Sequence, residues 1–333
     1  MKRTVIWLCL LVVTAGMAGC APRQKTPLLV FAAGSLIQPF NALEKAFEAQ
    51  YPDVDILGEY HGSIQVMRHA TDLHEKIDVV ATADISLIPL LMYGSQDPET
   101  GRPYADWYLR FATNELGLAY TENSLYADEI TAENWAEILT RPEVKVGIAD
   151  PRFDAAGYRA MMVYWLAQDV TGQEDLFHQM FDGQFRYPVT TITEDGLTTI
   201  RVPEVLETSA DAHIIMRGGS IQLIALLESG DVDYVFEYES VIRQHQLKLV
   251  EMPPELSLRD GGYQPRYQQV QVRLDFQRFA SVKPEFRGEQ IGYGITIPTN
   301  APHPEEAVLF LQFLLGPEGQ KIMEDHAHPL LQP

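Results

Sequence analysis

Leu28-Leu29-Val30-Phe31-Ala32-Ala33-Gly34-Ser35-Leu36-Ile37-Gln38-Pro39-Phe40 is the stretch on which the fold turns. A continuous apolar run gives way to small residues, after which Leu36, Phe40, Leu43 and Phe47 recur at helical spacing; this predicts a buried strand, a tight turn and an amphipathic helix. Ser35 with Gln38 three residues on predicts a capping box that starts the helix at Ser35. The grammar repeats. Val54 to Leu57 leads through His61-Gly62-Ser63 into Ile64, Met67 and Ala70, and Asp78-Val79-Val80 leads through Ala83-Asp84 into Ile85, Ile88 and Met92. Three strand-turn-helix units in succession predict an α/β fold with a parallel sheet covered by helices. Ligands of such sheets bind outside the carboxyl ends of the strands, where these turns lie.

Phe111 to Thr121 is strand-like and predicts a crossing into a second domain. There Val144 to Ile148 is an apolar run stopped by Asp150-Pro151, and Asp154-Ala155-Ala156-Gly157-Tyr158-Arg159 opens a helix. Ile221 to Leu227 reads as a helix ended by Ser229-Gly230-Asp231, and Tyr234-Val235-Phe236 as a strand entering Glu237-Tyr238-Glu239-Ser240. Val270 to Leu274, Gly292 to Ile297 and a helix from Pro304 to Leu315 close the chain. The expected division is 27–113 for one lobe, 114–255 for the second and 256–333 for the return to the first.

The chain has 333 residues, 46% hydrophobic and 21% charged, an ordinary globular balance that permits two domains and excludes collagen or coiled coil as the main architecture. Its formal net charge of −21 repels phosphate backbones and argues against a nucleic-acid partner. Met1-Lys2-Arg3, the apolar run Val5 to Val13 and the small residues after it read as a signal peptide over 1–19, because the run is well short of the ~20 residues of a span. Cys9 falls within it. Cys20 follows Met17-Ala18-Gly19 as the cysteine of a bacterial or archaeal lipobox would, and residues 20–26 read as a polar tether; a plain cleavage near Ala18 is the alternative. With Cys20 as the first mature residue no disulfide can form, so the exported fold stands on its core alone.

Common catalytic signatures are missing: no G-x-S-x-G, no P-loop, no G-x-G-x-x-G, and His74-Glu75 lacks the second histidine of H-E-x-x-H. His326 and His328 read as a solvated tail. The positive signal is the pair Gly34-Ser35 and Gly62-Ser63. Two helix N-termini with serine hydroxyls, aimed at one point, would cradle an oxyanion; two plain helix caps are the alternative.

Phe31-Ala32-Ala33-Gly34-Ser35, Tyr51-Pro52-Asp53-Val54, Ala83-Asp84-Ile85-Ser86-Leu87-Ile88-Pro89, Asp154-Ala155-Ala156-Gly157-Tyr158-Arg159, Phe236-Glu237-Tyr238-Glu239-Ser240 and Tyr293-Gly294-Ile295-Thr296-Ile297-Pro298 occur in an order that resembles the tungstate/molybdate-binding lipoproteins of ABC importers. The resemblance covers nearly the whole mature chain. Two departures adjoin it: Ala155-Ala156 stands where the family often has Pro-Cys, and Glu239 where a basic residue is common. The resemblance implies a type II periplasmic-binding fold, two α/β lobes joined by a two-strand hinge, with no catalysis and no cofactor. It further implies an exported protein, held to the membrane by a lipid on Cys20 and acting as a monomer. One oxyanion would be delivered to an ABC permease and its ATPase.

A carboxylate about 4 Å from a dianion is repelled by roughly 8 kcal/mol at an effective dielectric of 20, whereas a charged hydrogen bond contributes about 1.5–3 kcal/mol. Asp154 and Glu237 therefore either point away, hold protons, or bond to the metal itself. The resemblance implies the third, with both carboxylates expanding the hexavalent metal from four to six oxygen ligands, which sulfur and phosphorus do not permit. Gly34, Ser35, Gly62 and Ser63 would bind oxo groups, Tyr158 and Tyr238 would add donors, and Ser86 is a further candidate. The competing uses are a helix cap for Asp154 and a solvated strand end for Glu237. Arg159 and Arg217 are the cationic rivals for the anion. A binder of sulfate or phosphate, and an exported acid hydrolase using Asp154 and Glu237, are the alternative functions.

Overall fold

The computed structural model describes residues 25–275 and 284–328; the expected signal peptide over 1–19, Cys20 and most of the expected tether lie outside them. The first strand already begins at Thr26, whose N–H donates to Asp53 O at 2.8 Å, while Lys25 pairs with Glu48 and Asp55. The tether's last residue is thus part of the sheet.

Three sheets organise the chain. The first runs in the order β2 (Val54–His61), β1 (Thr26–Ala33), β3 (Val79–Thr82), β14 (Tyr293–Thr296), β4 (Leu109–Ala112). Its first three strands are parallel and β14 is antiparallel to both neighbours. The second runs β11 (Lys248–Glu251), β5 (Leu116–Tyr120), β10 (Tyr234–Tyr238), β6 (Val146–Ala149), β9 (Ile214–Arg217). Strands β3, β6 and β10 are buried throughout and β1 from Val30 onward, as continuous apolar runs covered by helices on both faces must be.

The third sheet, β13 (Glu285–Arg287), β12 (Val270–Asp275), β8 (Leu197–Pro203), β7 (Thr190–Glu194), has no counterpart in the sequence reading. Its hairpin turns on Asp195-Gly196, both at positive φ (50° and 79°), a dipeptide that favours this turn. β12 lies parallel to β8 in this third sheet, and the chain re-enters the first sheet only with β14, because Val270 to Leu274 finds its backbone partners in 198–203.

The apolar stretch Phe111 to Thr121 is two strands. It breaks at Thr113-Asn114-Glu115, leaving β4 in the first sheet and β5 in the second. Beside this crossing runs the returning chain: Leu116 N–H donates to Ser257 O at 2.9 Å, Ile291 N–H to Leu258 O at 2.8 Å, and Thr113 Oγ1 to Ile291 O at 2.7 Å.

Helix α1 (Ile37–Gln50) follows a 3₁₀ turn, Gly34–Leu36, and buries Phe40, Leu43 and Phe47 as the spacing requires. The capping box does not form. No side-chain cap is present at the start of the turn or of α1, and Ser35 is turned instead toward Tyr293. Helix α2 (Ser63–Thr71) starts at Gly62, and α3 (Ala155–Thr171) at Asp154. A Cβ on Gly157 would stand 2.2 Å from Ala149 O, so only glycine lets α3 leave β6 this tightly. After α3 come α4 (Ile221–Ser229), α5 (Glu239–Gln244), α6 (Pro304–Leu315) and α7 (Pro317–Asp325).

Candidate functional site

The turns after β1, β2 and β3 meet the turns after β6, β9 and β10, so the carboxyl ends of two sheets face one another. The approach is close. Phe153 O accepts the N–H groups of Ile64 and Gln65, in the first turn of α2, at 3.0 and 3.2 Å, and a Cβ on Gly62 would lie 2.4 Å from that oxygen. A Cβ on Gly34 would likewise touch Ile221 Cγ2 at 3.1 Å. Glycine is needed at 62 for the two sheets to close on each other.

Neither serine of the Gly-Ser turns is a helix cap. Ser35 Oγ is hydrogen-bonded to Tyr293 Oη at 2.8 Å. Ser63 Oγ accepts from Ala83 N–H at 3.1 Å, an arrangement that leaves its own proton free to donate. Both residues are buried, at 3% and 1% exposure.

Asp154 does cap α3, but that is half of its role. Oδ1 accepts from Ala156 N–H at 3.0 Å while Oδ2 accepts from Ser220 N–H at 2.9 Å, and Gly62 packs on its Cβ. Burial raises its pKa; the two N–H donors and Arg159 pull the other way. Glu237 is not a solvated strand end. It is fully buried, its Oε1 accepts from Tyr238 N–H at 2.7 Å, and Oε2 has no hydrogen-bond partner among the described residues. Burial pushes Glu237 up to about 8, and the nearby Asp154 charge adds to the rise; Tyr238 N–H and Ser220 favour the charged form without offsetting it. An orphaned carboxylate oxygen in a dry site costs several kcal/mol unless protonated or bound to something.

The two tyrosines part company. Tyr238 Oη accepts from Arg159 Nη1 at 2.6 Å and keeps its proton to donate. Tyr158 donates its hydroxyl to Asp84 and lies flat on Phe286, ring centroids 4.4 Å apart, so its donor is already engaged. Ser86 is similarly committed to Asp84, at 2.7 Å through Oγ. The arrangement gathers Gly34, Ser35, Gly62, Ser63, Asp154, Glu237 and Tyr238 where the two sheets meet, and joins Tyr158 and Ser86 to an adjoining cluster around Asp84. Arg217 is exposed, with Nη1 on Met216 O.

Three residues were missed. Ser220 closes Gly219-Ser220, a third Gly-Ser turn whose kinship with the other two was visible in the sequence. Asn114 donates through Nδ2 to Tyr293 Oη at 3.0 Å and Ser240 Oγ at 2.7 Å, tying the crossing to both sheets. His328 is not a solvated tail but wholly buried: Nε2 is 3.4 Å from Ser240 Oγ, the ring stands edge-on to Tyr293, and burial lowers its pKa to about 4.

Two α/β lobes, crossed twice and closed over converging polar turns, form the type II fold of periplasmic binding proteins. The Azotobacter vinelandii periplasmic molybdate-binding protein superposes with a TM-score of 0.56 at 14% identity, covering 92% of this chain and 100% of that one. The sulfate-binding protein SubI from Mycobacterium tuberculosis superposes with 0.59 at 14% identity, covering 93% and 88%. Residues 28–326 match the bacterial extracellular solute-binding protein family, and the chain belongs to it. Among its relatives, the molybdate/tungstate-binding protein WtpA of Thermococcus kodakarensis is 38% identical over 317 residues, 93% of this chain and 84% of that one. A solute-binding protein of Petrotoga mobilis is 36% identical over 306 residues, 92% and 84%. The family is one of binding proteins, and the acid-hydrolase reading is set aside.

Proposed function

We propose that this protein captures tungstate or molybdate between its lobes and delivers it to the permease of an ABC importer. The observation that carries this reading is Glu237: a buried carboxylate with one orphaned oxygen, set beside Asp154 and opposite the Ser35 and Ser63 turns. A simple tetrahedral dianion gains nothing from two carboxylates. A metal centre able to accept two more oxygen ligands does, and Asp154 and Glu237 would supply them. Ser35, Ser63, Tyr238 and the backbone of Gly34 and Gly62 would then bind the oxo groups, with Tyr158 and Ser86 supporting from the Asp84 cluster. The identity to the molybdate/tungstate-binding WtpA supports this reading; the fold alone does not choose, since sulfate and molybdate binders superpose about equally well.

The lobes are taken as 27–113 and 114–255, with the chain from 256 to 333 returning to the first lobe through β14. The same reading includes export, a lipid on Cys20 as anchor and action as a monomer. No helix among the described residues is long and apolar enough to cross a membrane.

Titration calorimetry is the direct test. Tungstate and molybdate are expected to bind one to one with nanomolar affinity, about −12 kcal/mol, and sulfate at least a thousandfold more weakly. Equal affinities for all three would remove the coordination argument and favour the sulfate reading.

A further inference from the structure

Arg159 is the one lysine or arginine that is buried among the described residues, at 3% exposure, and it is not itself one of the groups proposed to contact the ligand. Its guanidinium reaches across the lobes. From α3 of the second lobe, Nη2 stands 3.3 Å from Asp84 Oδ2 and Nη1 donates to Ala83 O at 2.8 Å, both after β3 of the first lobe. Nη1 also donates to Tyr238 Oη within its own lobe. Asp84 is equally buried and fully engaged: Oδ1 accepts from Ser86 N–H and Oγ at 2.9 and 2.7 Å, and Oδ2 accepts from Tyr158 and faces Arg159. The N–H of Ala83, whose carbonyl Arg159 holds, donates to Ser63 Oγ. One side chain therefore touches the first lobe at Ala83, the residue whose N–H holds Ser63, and the second at the hydroxyl of Tyr238. Glu289, half-buried and raised to about 7 by its burial and then by the Asp84 charge, is the other carboxyl facing this cluster.

We propose that Arg159 and Asp84 are positioning residues that latch the two lobes together and set how long a captured solute stays. Taking two charges out of water costs desolvation, which their attraction only partly returns, so the pair adds little to overall stability. Its leverage lies in the difference between states. With the lobes closed, Arg159 is dry and depends on Asp84; with the lobes parted, both charges regain water. Removing the acceptor therefore penalises the closed state above all, and opening speeds up while encounter with the solute does not change.

The inference rests on the binding reading above, and the experiment separates the two. Tungstate release and capture are followed by stopped flow for wild type and Asp84→Asn, a change that keeps Oδ1 for Ser86 while putting an amide before Arg159. Release is expected to be about tenfold faster in the variant, with the capture rate and the ratio of tungstate to sulfate affinity within about twofold of wild type. Asp84→Glu, which keeps the charge, is expected to recover part of the slow release, an outcome a purely structural defect does not produce. Release equal to wild type in Asp84→Asn, or loss of selectivity along with it, overturns the latch. If Asp84→Asn does not fold, Arg159→Lys replaces it with the same expectation for release. If wild type itself takes no tungstate, the binding reading has failed, and small-angle scattering of the ligand-free pair judges the latch alone: a larger radius for the variant supports it, and superimposable curves overturn it.

Discussion

Replacing Asp154 and Glu237 together by their amides is expected to weaken tungstate binding by about a hundredfold to ten-thousandfold while leaving sulfate binding unchanged or stronger. Each carboxylate that becomes an amide gives up an interaction comparable to a charge-assisted hydrogen bond, about 1.5–3 kcal/mol, and the pair thus about 3–6 kcal/mol. For sulfate the sign reverses. Two carboxylates that cannot bond to sulfur act on it only by repulsion, roughly 8 kcal/mol each at close range if both were ionised, so neutral amides relieve it. Selectivity should collapse from both directions, and competition calorimetry measures it. The variant should still fold. Burial pushes the Glu237 carboxyl up to about 8 and so favours its neutral form, which Gln resembles in shape and charge. At 154 an Asn can still accept from Ala156 N–H but places an NH₂ or loses an acceptor at Ser220 N–H, a cost of about 1–2 kcal/mol visible as a lower melting temperature. Unchanged preference for tungstate in a folded double variant removes the coordination argument.

The second large effect is pH dependence, and it runs against intuition for an anion site. A carboxyl whose folded pKa is near 8 against about 4.5 unfolded binds more protons when folded, so its contribution to stability falls as pH rises between those values. Glu115 and Glu289, both raised to about 7 with burial as the main cause, act in the same direction below pH 7. His328, lowered to about 4 by burial, acts oppositely, adding stability as pH rises from about 4 to 6.5. Above pH 7 the Glu237 slope is the steepest, and Glu237 alone should cost the ligand-free protein about 1.4 kcal/mol between pH 7 and 9, a share of the loss that is absent in Glu237→Gln. Binding shows the mirror image. Coordination requires the carboxylate, so tungstate capture at pH 7 should release about 0.9 proton, and affinity should rise about a hundredfold from pH 6 to 9 before levelling. A protonated Glu237 that instead donated a hydrogen bond to a sulfate-like anion would keep its proton, and affinity would fall with pH. Calorimetry in buffers of different ionisation enthalpy counts the proton directly.

How much of this was legible in the sequence follows from how local each signal is. Strands β1, β2 and β3 and their turns were readable because apolar runs, small-residue turns and helical spacing are set by neighbours in the chain. Asp154 was readable as a cap because capping reaches only two residues ahead, yet its second oxygen serves Ser220, 66 residues away, and no local rule points there. Ser35 shows the limit most sharply. The capping-box spacing was present, but Tyr293, 258 residues on, holds the hydroxyl, and the backbone took a 3₁₀ turn without the cap. Local preference worth about 1 kcal/mol yields easily to a buried contact. The burial of His328 depends on α7 returning the chain to the crossing, where Ser240 and Asn114 wait; its place near the end of the sequence made it look like part of a solvated tail. The third sheet escaped for a different reason: its strands are short and polar on one face, and the Asp195-Gly196 turn that announces the hairpin was overlooked.

The central claim is that carboxylate oxygens of Asp154 and Glu237 bond to the metal of a captured oxyanion. X-ray absorption at the tungsten edge, on the one-to-one complex, counts the oxygen neighbours of that metal. Six oxygens in two groups, four oxo and two carboxylate, is the predicted result, falling to four in the double amide variant. Four equivalent oxygens in the wild-type complex would contradict it, leaving a cradle of serines around an unaltered tetrahedral ion.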